Sequence, residues 1–298
     1  MPAMPPEIED ALAEVGARCR VPVDDARLVH QHSNSAIALP TAQLLVRLAG
    51  NPDAFTNVAS SVAITRWLAR QGYPCVVPAE VDPFLVTGRV VSVWRLLDVA
   101  HQPLATAAEL GELLRDLHHR PSPPVALQKL TDPFGSVAAA IEQHPDAMAE
   151  DDRTWLNGRV GRLRRIWTDL RPTLPTGLVH GDAHTNNVIR LTTGQVVLGD
   201  WDHVARGPRE WDLIQVHYMA RRFGRHTLED LDRFTAAYGW DVRDWPGIES
   251  LIQIREITGL SPYIRKASTD KSAHREVAHR VASLRLGDTS ARWCSPTR

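Results

Sequence analysis

The sequence predicts an α+β fold in two lobes, an N-terminal antiparallel sheet lobe followed by a mainly helical C-terminal lobe. Short apolar runs of strand type fill the first 97 residues, and longer runs with a helical period fill most of the remainder. The length of 298 residues also corresponds to two domains at roughly 150 residues each. We therefore divide the chain into residues 1–97 and 98–298.

The N-terminal lobe is predicted to contain an amphipathic helix over 5–18, five strands and one further helix. Short apolar runs separated by tight polar turns are typical of an antiparallel meander. A helical period covers 56–71, and Gly72 follows it where a glycine commonly ends a helix. The strands are predicted at 27–30, 35–39, 43–48, 84–87 and 90–97.

The C-terminal lobe is predicted as helices around one compact block of loops and short strands at 177–202. Leucines at helical spacing indicate its first helix, and a group of prolines ends that helix. The helices are predicted at 104–119, 136–170 (one or two helices, with a break near Glu150), 209–223, 227–239, 247–266 and 271–286.

The charge balance and the cysteines restrict the class of protein. The chain has 34 basic and 35 acidic residues, which argues against a nucleic-acid binder and a polybasic membrane anchor. No apolar run approaches the roughly 18 residues of a membrane span, and the N-terminal residues do not have the pattern of a secretory signal. Three widely spaced cysteines are typical of a reduced, cytoplasmic protein. We expect neither nucleic acid nor membrane as a partner and leave the oligomeric state open.

The block at 177–202 carries the polar residues that predict chemistry. Asp182 lies five residues before Asn187, which lies 13 residues before Asp200, and apolar strand-like runs flank them. Phosphoryl transfer needs one carboxylate to accept the proton of the attacking hydroxyl, and amide and carboxylate oxygens to hold Mg²⁺ on the nucleotide. Mg²⁺ prefers such hard oxygen ligands. The spacing therefore predicts a phosphoryl-transfer site.

These residues resemble the catalytic loop and metal-binding Asp of the aminoglycoside phosphotransferase and choline kinase-like family. The resemblance extends to the helix at 110–118 and to the segment at 207–213, whose Asp212 is expected to brace the catalytic loop. His180 is expected to pack beneath that loop. The resemblance implies a bilobal protein kinase-like fold and a kinase that uses ATP or GTP with Mg²⁺.

The resemblance also implies roles for individual residues. Asp182 would be the catalytic base, with His184 near the transferring phosphate, and Asn187 and Asp200 would hold Mg²⁺. On the nucleotide side, Arg47 would bind phosphate, since no lysine precedes Lys129. The hinge at 93–97, with Trp94 and Leu96, would bind the purine through its backbone.

Two departures from the family pattern concern the phosphates. The turn that should cover them has no glycine, and Ser33, Asn34 and Ser35 are predicted to contact the phosphates instead. The helix that should supply a Glu partner for Arg47 has serines at the aligned place. The partner of Arg47 is therefore missing or lies elsewhere.

The acceptor is open among aminoglycosides, other antibiotics, amino alcohols and sugars. Glu256 is a possible substrate contact, and Asp202 could be a second metal ligand, a substrate contact or a structural partner. Residues 200–298 contain about as many basic as acidic residues. A polycation would favour an acidic pocket, so this balance weighs against an antibiotic-resistance role.

Two alternative functions remain at this stage. The His and Asp residues at 180–184 and 200–203 also have the spacing of a two-metal phosphoesterase, although no Asn follows Asn187 to complete such a site. The phosphate turn without glycine would also fit a non-catalytic, nucleotide-binding protein of the same fold. Use of a nucleotide together with an acceptor distinguishes the kinase from both.

Overall fold

The computed structural model describes residues 5–31 and 34–294. The first helix, α1 (Pro6–Cys19), begins with a proline, whose missing N–H costs nothing in a first turn. Arg20, the residue after its last turn, adopts a left-handed conformation that ends the helix. No helix in this described part of the chain has the length and apolar character needed to cross a membrane.

The five predicted strands form one antiparallel sheet in the order β1-β2-β3-β5-β4, which confirms the predicted sheet lobe. Helix α2 (Phe55–Arg70) follows the third strand and carries the apolar face that the sequence predicts. The strands are β1 (Arg27–Gln31), β2 (Asn34–Leu39), β3 (Leu44–Ala49), β4 (Phe84–Val86) and β5 (Arg89–Arg95).

The register of the central strands separates the two faces of the sheet. Ile37, Val46 and Val93 pack with α1 in one apolar cluster, because alternate side chains of a strand point to the same face. Arg47 pairs across the strands with Ala36 and Ser92 on the opposite face, which faces the helical lobe.

The rest of the chain is mainly helical, as predicted. The predicted break near Glu150 is wrong in detail, because Glu150 begins α5 and the chain breaks over 144–149. Acidic residues are favoured in a first turn. The helices are α3 (Ala107–His119), α4 (Gly135–Gln143), α5 (Glu150–Asp169), α6 (Glu210–Phe223), α7 (Leu228–Tyr238), α8 (Ile248–Thr258), α9 (Ser261–Ala267) and α10 (Lys271–Arg285).

The helix predicted over 247–266 is divided into α8 and α9 at Gly259. Pro262 lies in the first turn of α9, where it has no N–H to continue a helical ladder from α8. A Cβ at Gly259 would lie 2.6 Å from the hydroxyl of Tyr218. The tight approach of α6 therefore requires glycine at this break.

Four short strands frame the polar block in two antiparallel hairpin-like pairs, β6 with β9 and β7 with β8. The two lobes meet at this block, because the N–H of Val76 donates to Leu198 and the N–H of Leu198 donates to Pro74. The strands are β6 (Gly177–Val179), β7 (Val188–Arg190), β8 (Val196–Leu198) and β9 (Ala205–Gly207).

Candidate active site

The loop after β6 makes a turn that only glycine can make. Gly181 has a φ of +86°, and a Cβ there would lie 2.1 Å from the carbonyl oxygen of His203. A left-handed conformation is disfavoured for residues with a Cβ, and here the backbone of a second segment also fills the space. Gly181 thereby lets the chain turn directly before Asp182.

Asp212 on α6 braces this loop from below, as predicted. Its two carboxylate oxygens accept the N–H groups of His180 (2.7 Å) and Gly181 (2.8 Å). His118 on α3 lies 3.1 Å from the same carboxylate, and its other ring nitrogen bonds the hydroxyl of Tyr238. The carboxylate is completely buried, so these bonds compensate for the loss of water.

His180 is a structural residue, also as predicted. Burial lowers its pKa, so the ring is neutral. Its Nε2–H donates to the carbonyl of Gly199 (2.8 Å), and its Nδ1 accepts the N–H of Asp182 (3.3 Å). Both ring nitrogens are therefore occupied, and His180 cannot be a metal ligand of the alternative phosphoesterase site.

Asp182 lies in a polar socket formed by three side chains. Its Oδ1 accepts from Gln215 (3.0 Å) and from Arg255, and its Oδ2 lies 3.5 Å from His184. Burial alone would raise the pKa of Asp182, but the charges of Arg255 and His184 outweigh burial and hold that pKa well below its usual range. The carboxylate is thus ionised and oriented.

The sequence interpretation did not identify Arg255 and Gln215. Gln215 lies three residues after Asp212 and so shares the face of α6 that supports the loop, a helical spacing that could have indicated it. Arg255 donates from Nε to Gln215 (2.8 Å), and its guanidinium lies 5.7 Å from the ring centre of Trp211. Only the packing of α8 against α6 brings Arg255 to Asp182, and no local pattern indicates it.

Asn187 and Asp200 lie close together, because the N–H of Gly199 donates to the carbonyl of Asn187 (2.8 Å). The Nδ2 of Asn187 donates to the carbonyl of Asp182 (2.9 Å), while its Oδ1 accepts no hydrogen bond from the described residues. Asp200 has a φ of +56° and a side chain that is 48% exposed. One free amide oxygen and one accessible carboxylate match Mg²⁺ bound to a nucleotide, because phosphate and water complete its coordination.

Arg47 reaches across the cleft from β3 to the helical lobe. Its guanidinium donates to both oxygens of Asp202 (3.2 and 2.8 Å) and lies 3.5 Å from Asp200. The missing partner of Arg47 is therefore Asp202, which lies on the loop of Asp200 and not on α2. Of the three roles left open for Asp202, this pairing favours that of a structural partner.

Glu256 is not placed to contact a substrate. Its side chain is 3% exposed and its Oε1 accepts from Arg222 at 2.6 Å. Arg221 lies 3.9 Å from the same oxygen. The predicted substrate contact is wrong because this side of α8 packs on α6, whereas Arg255 lies on the side that faces the site.

Only part of the predicted phosphate turn can contact a nucleotide. Ser33 lies outside the described residues. Asn34 lies on the face of β2 that carries Arg47 on β3. Ser35 lies on the opposite face and is 5% exposed, so the predicted phosphate contact of its side chain is wrong. Successive strand residues face opposite sides, which gives these two neighbours different surroundings.

The predicted hinge follows β5. Trp94 is buried on the face of the sheet that carries Arg47, and its indole N–H donates to Ser92 (2.9 Å). The N–H of Leu96 donates to Gln43 (2.9 Å) and is not free to bind a purine. The N–H of Leu97 makes no hydrogen bond with the described residues.

An ionised carboxylate beside two oxygen ligands, in a cleft between an antiparallel sheet and a helical lobe, defines a phosphotransferase with a protein kinase-like fold. A family model described as the phosphotransferase enzyme family APH matches residues 26–251. The chain belongs to this family. No curated protein matches its sequence.

Solved structures show the same fold at low sequence identity. A choline/ethanolamine kinase family protein from Mesorhizobium loti matches with a TM-score of 0.65 and 17% identity, over 94% of each chain. Spectinomycin phosphotransferase APH(9)-Ia, in complex with ADP and spectinomycin, has a TM-score of 0.64 and 16% identity, over 96% of this chain and 95% of its own. The GDP and kanamycin complex of APH(2'')-IIIa has a TM-score of 0.62 and 14% identity, over 93% and 99%.

Proposed function

We propose that this protein is a Mg²⁺-dependent kinase that transfers the γ-phosphate of ATP or GTP to a hydroxyl of a small molecule. The observation that carries the proposal is that hydrogen bonds join Asn187 to the backbone of Asp182 and of Gly199, next to Asp200, while Arg47 reaches Asp200 from the sheet lobe. A kinase needs this set, because phosphoryl transfer depends on positioning and charge stabilisation.

Asp182 supplies the base of the reaction. Its Oδ1 is held by Arg255 and Gln215, which leaves Oδ2 to accept the proton of the acceptor hydroxyl. His184, 3.5 Å from Oδ2, lies where it can orient that hydroxyl or the phosphate. The fixed orientation aligns the attacking oxygen with the phosphorus atom before transfer.

Asn187 and Asp200 would hold Mg²⁺ against the nucleotide phosphates. When bound, the ion neutralises charge that develops on the β- and γ-phosphate oxygens. The free Oδ1 of Asn187 and the accessible carboxylate of Asp200 are the two protein ligands. The backbone of Gly199 donates to the carbonyl of Asn187 (2.8 Å), which keeps the two ligands close together.

Arg47 would bind the nucleotide phosphates with N–H groups that it does not give to Asp202, since a guanidinium has five such donors. A guanidinium pairs with phosphate oxygens in a bidentate manner. Asp202 orients Arg47 as the absent helix Glu would do, and it does so from the loop of Asp200. The purine would lie at the hinge, near the N–H of Leu97 and the buried Trp94.

Related folds support the donor and the acceptor class. The similar structures hold ADP in one case and GDP in another, with spectinomycin and kanamycin as the second ligands. We extend from them only the general class, a purine nucleoside triphosphate as donor and a small hydroxyl compound as acceptor. The three widely spaced cysteines support our proposal of a cytoplasmic location. Fold resemblance defines the reaction class better than the acceptor.

Thermal melting with Mg·ATP and Mg·GTP tests the proposal, because a ligand of the folded state raises the melting temperature. We expect a Mg²⁺-dependent increase with one or both nucleotides that is lost in Asp200→Ala. Asp82→Ala is the matched control, since Asp82 is 84% exposed and pairs only with Arg66. No increase at millimolar nucleotide would contradict the proposal. An increase without phosphate transfer to any acceptor would favour the non-catalytic, nucleotide-binding alternative.

A further inference from the structure

The carboxylates on the two helices beside Asp182 are all engaged within the protein. Glu210 accepts the N–H groups of Thr173 and Leu174, both at 2.7 Å, and Asp212 braces the catalytic loop. On α8, Glu249 pairs with Arg221 and Glu256 pairs with Arg222. Neither α6 nor α8 therefore presents an uncommitted carboxylate to an acceptor.

The loop at 199–204 offers no acid to an acceptor either. Asp202 is bound by both branches of Arg47. Asp200 is accessible, but it is one of the two proposed Mg²⁺ ligands. On α6, on α8 and in this loop, Asp200 is therefore the one exposed carboxylate without a close ion pair that an acceptor with several ammonium groups could meet, and Mg²⁺ would occupy it.

A hydrogen-bond donor lies beside Asp182 instead. Arg255 uses Nε for Gln215 and Nη2 for Asp182, while its Nη1 has no partner among residues 5–31 and 34–294. Because Arg255 contacts the carboxylate of Asp182, this unused amino group lies close to the proposed site of the acceptor hydroxyl. His184 also contacts that carboxylate, but its Nδ1 is buried and is not available to an acceptor.

The guanidinium of Arg255 is held rigidly. Its centre lies 5.7 Å from the ring centre of Trp211 and 6.0 Å from that of Tyr218, and its side chain is 19% exposed. A guanidinium fixed in this way presents its unused Nη1 in one direction. A charged amino group of this kind forms strong hydrogen bonds with the oxygens of carboxylates and phosphates.

We propose that the acceptor carries an anionic group, a carboxylate or a phosphate ester, near its reacting hydroxyl, and that Arg255 binds this group. The inference rests on the proposed kinase function and specifies its substrate class. Arg255 then has two contacts, one that orients Asp182 and one that places the hydroxyl beside it. The positive charge of Arg255 also offsets the repulsion between the acceptor anion and Asp182.

Matched acceptors on one sugar scaffold test the inference. Phosphate transfer is measured with saturating Mg·nucleotide and glucose, glucosamine, glucuronate or glucose 6-phosphate, with kanamycin and spectinomycin as additional cationic acceptors. We expect kcat/KM for an anionic member to exceed that of glucosamine and both antibiotics by about tenfold or more. Comparison of kcat/KM for glucuronate and for glucose 6-phosphate shows whether the preferred anionic group is a carboxylate or a phosphate ester.

The variant Arg255→Gln tests whether Arg255 causes the preference for anionic acceptors. It keeps a polar side chain beside Gln215 but removes the charge, and we expect the anionic preference to fall to within about threefold, mainly through KM. Arg255→Lys keeps the charge without the fork and should retain part of the preference. Arg233→Ala, on an exposed ion pair of α7, is the control and should leave the ranking unchanged.

Several results would overturn the inference. A preference for cationic acceptors, no discrimination, no transfer to either anionic sugar, or an anionic preference that survives in Arg255→Gln would each do so. The wild-type ranking decides the substrate class even if Arg255→Gln fails to fold. A protein that melts higher with Mg·nucleotide but prefers cations would contradict this inference alone, whereas no response to nucleotide would contradict the proposed function.

Discussion

The helical lobe forms one wall of the cleft, and its polar side chains beneath the loop of Asp182 are buried and hydrogen-bonded. The sheet forms the other wall, and its main charged group, Arg47, lies at a contact between the lobes. On the helical side, α6 supplies Asp212, Trp211 and Gln215 to the catalytic loop, and all three are buried. On the sheet side, Arg47 is 25% exposed and bonds a carboxylate of the other lobe.

Because of this difference, we expect substitutions on one wall to affect mainly stability and those on the other to affect mainly ligand affinity. A buried polar group that loses its partner costs more than an exposed one, because no water can replace the bond. Changes on the helical wall should therefore reduce the stability of the protein or stop the chemistry outright. Changes on the sheet wall should weaken nucleotide binding and leave the fold nearly unaffected.

The largest effect is expected from Asp182→Asn. The amide cannot accept the hydroxyl proton, and loss of a general base typically lowers turnover by about 1,000-fold. The melting increase with Mg·nucleotide should remain, because Asp182 is not a proposed metal ligand. Turnover is measured by release of the nucleoside diphosphate, with Asp82→Asn as the control. Turnover within tenfold of wild type would exclude Asp182 as the base.

Asp212→Asn should lower the free energy of unfolding by about 3 kcal/mol, because charged acceptors of buried N–H groups contribute more than neutral ones. The new amide would also place N–H donors against the N–H groups of His180 and Gly181. Urea unfolding with an unchanged m-value measures the loss. Stability equal to that of Asp82→Asn would show that the brace is dispensable.

His217, on the buried surface of α6, should make stability depend on pH. Burial lowers its pKa to about 4, while the unfolded chain has the ordinary value of 6.5. As the pH falls from about 6.5 to 4, only the unfolded chain takes up this proton, so stability decreases by up to about 3 kcal/mol. In His217→Gln, urea unfolding at several pH values should show a shallower decrease. Parallel pH profiles would contradict the assignment.

Arg47→Met should have the smallest effect on the fold. Because Arg47 and Asp202 are both about one-quarter exposed, the free energy of unfolding should change by less than about 1 kcal/mol. The KM for nucleotide should rise about tenfold, since a phosphate contact is lost. The KM for nucleotide of Arg47→Lys should lie between those of the wild-type protein and Arg47→Met. A large loss of stability in Arg47→Met would contradict the contrast between the two walls.

The elements built from local patterns were predictable from the sequence. Short apolar runs between tight turns predicted the five strands, and the resemblance of the segment at 207–213 to the family implied the brace at Asp212. The sequence did not predict Arg255, because its contact with Asp182 joins residues 73 positions apart through the packing of two helices. The sequence also did not predict which face of the sheet carries Ser35. That face depends on the strand register, and a shift of one residue moves each side chain to the other face.

The pairing of residues 74–76 with β8 has a mechanical consequence. The lobes are joined by the linker after β5 and again by the hydrogen bonds of Pro74 and Val76 to Leu198. Ile64, Leu68 and Tyr73 of the sheet lobe also belong to the apolar core of the helical lobe, so this second attachment is a packed contact. Asp200 lies two residues after Leu198 and is therefore close to this contact. We expect any movement of the sheet lobe to displace the carboxylate of Asp200, a proposed Mg²⁺ ligand, less than groups farther from the contact.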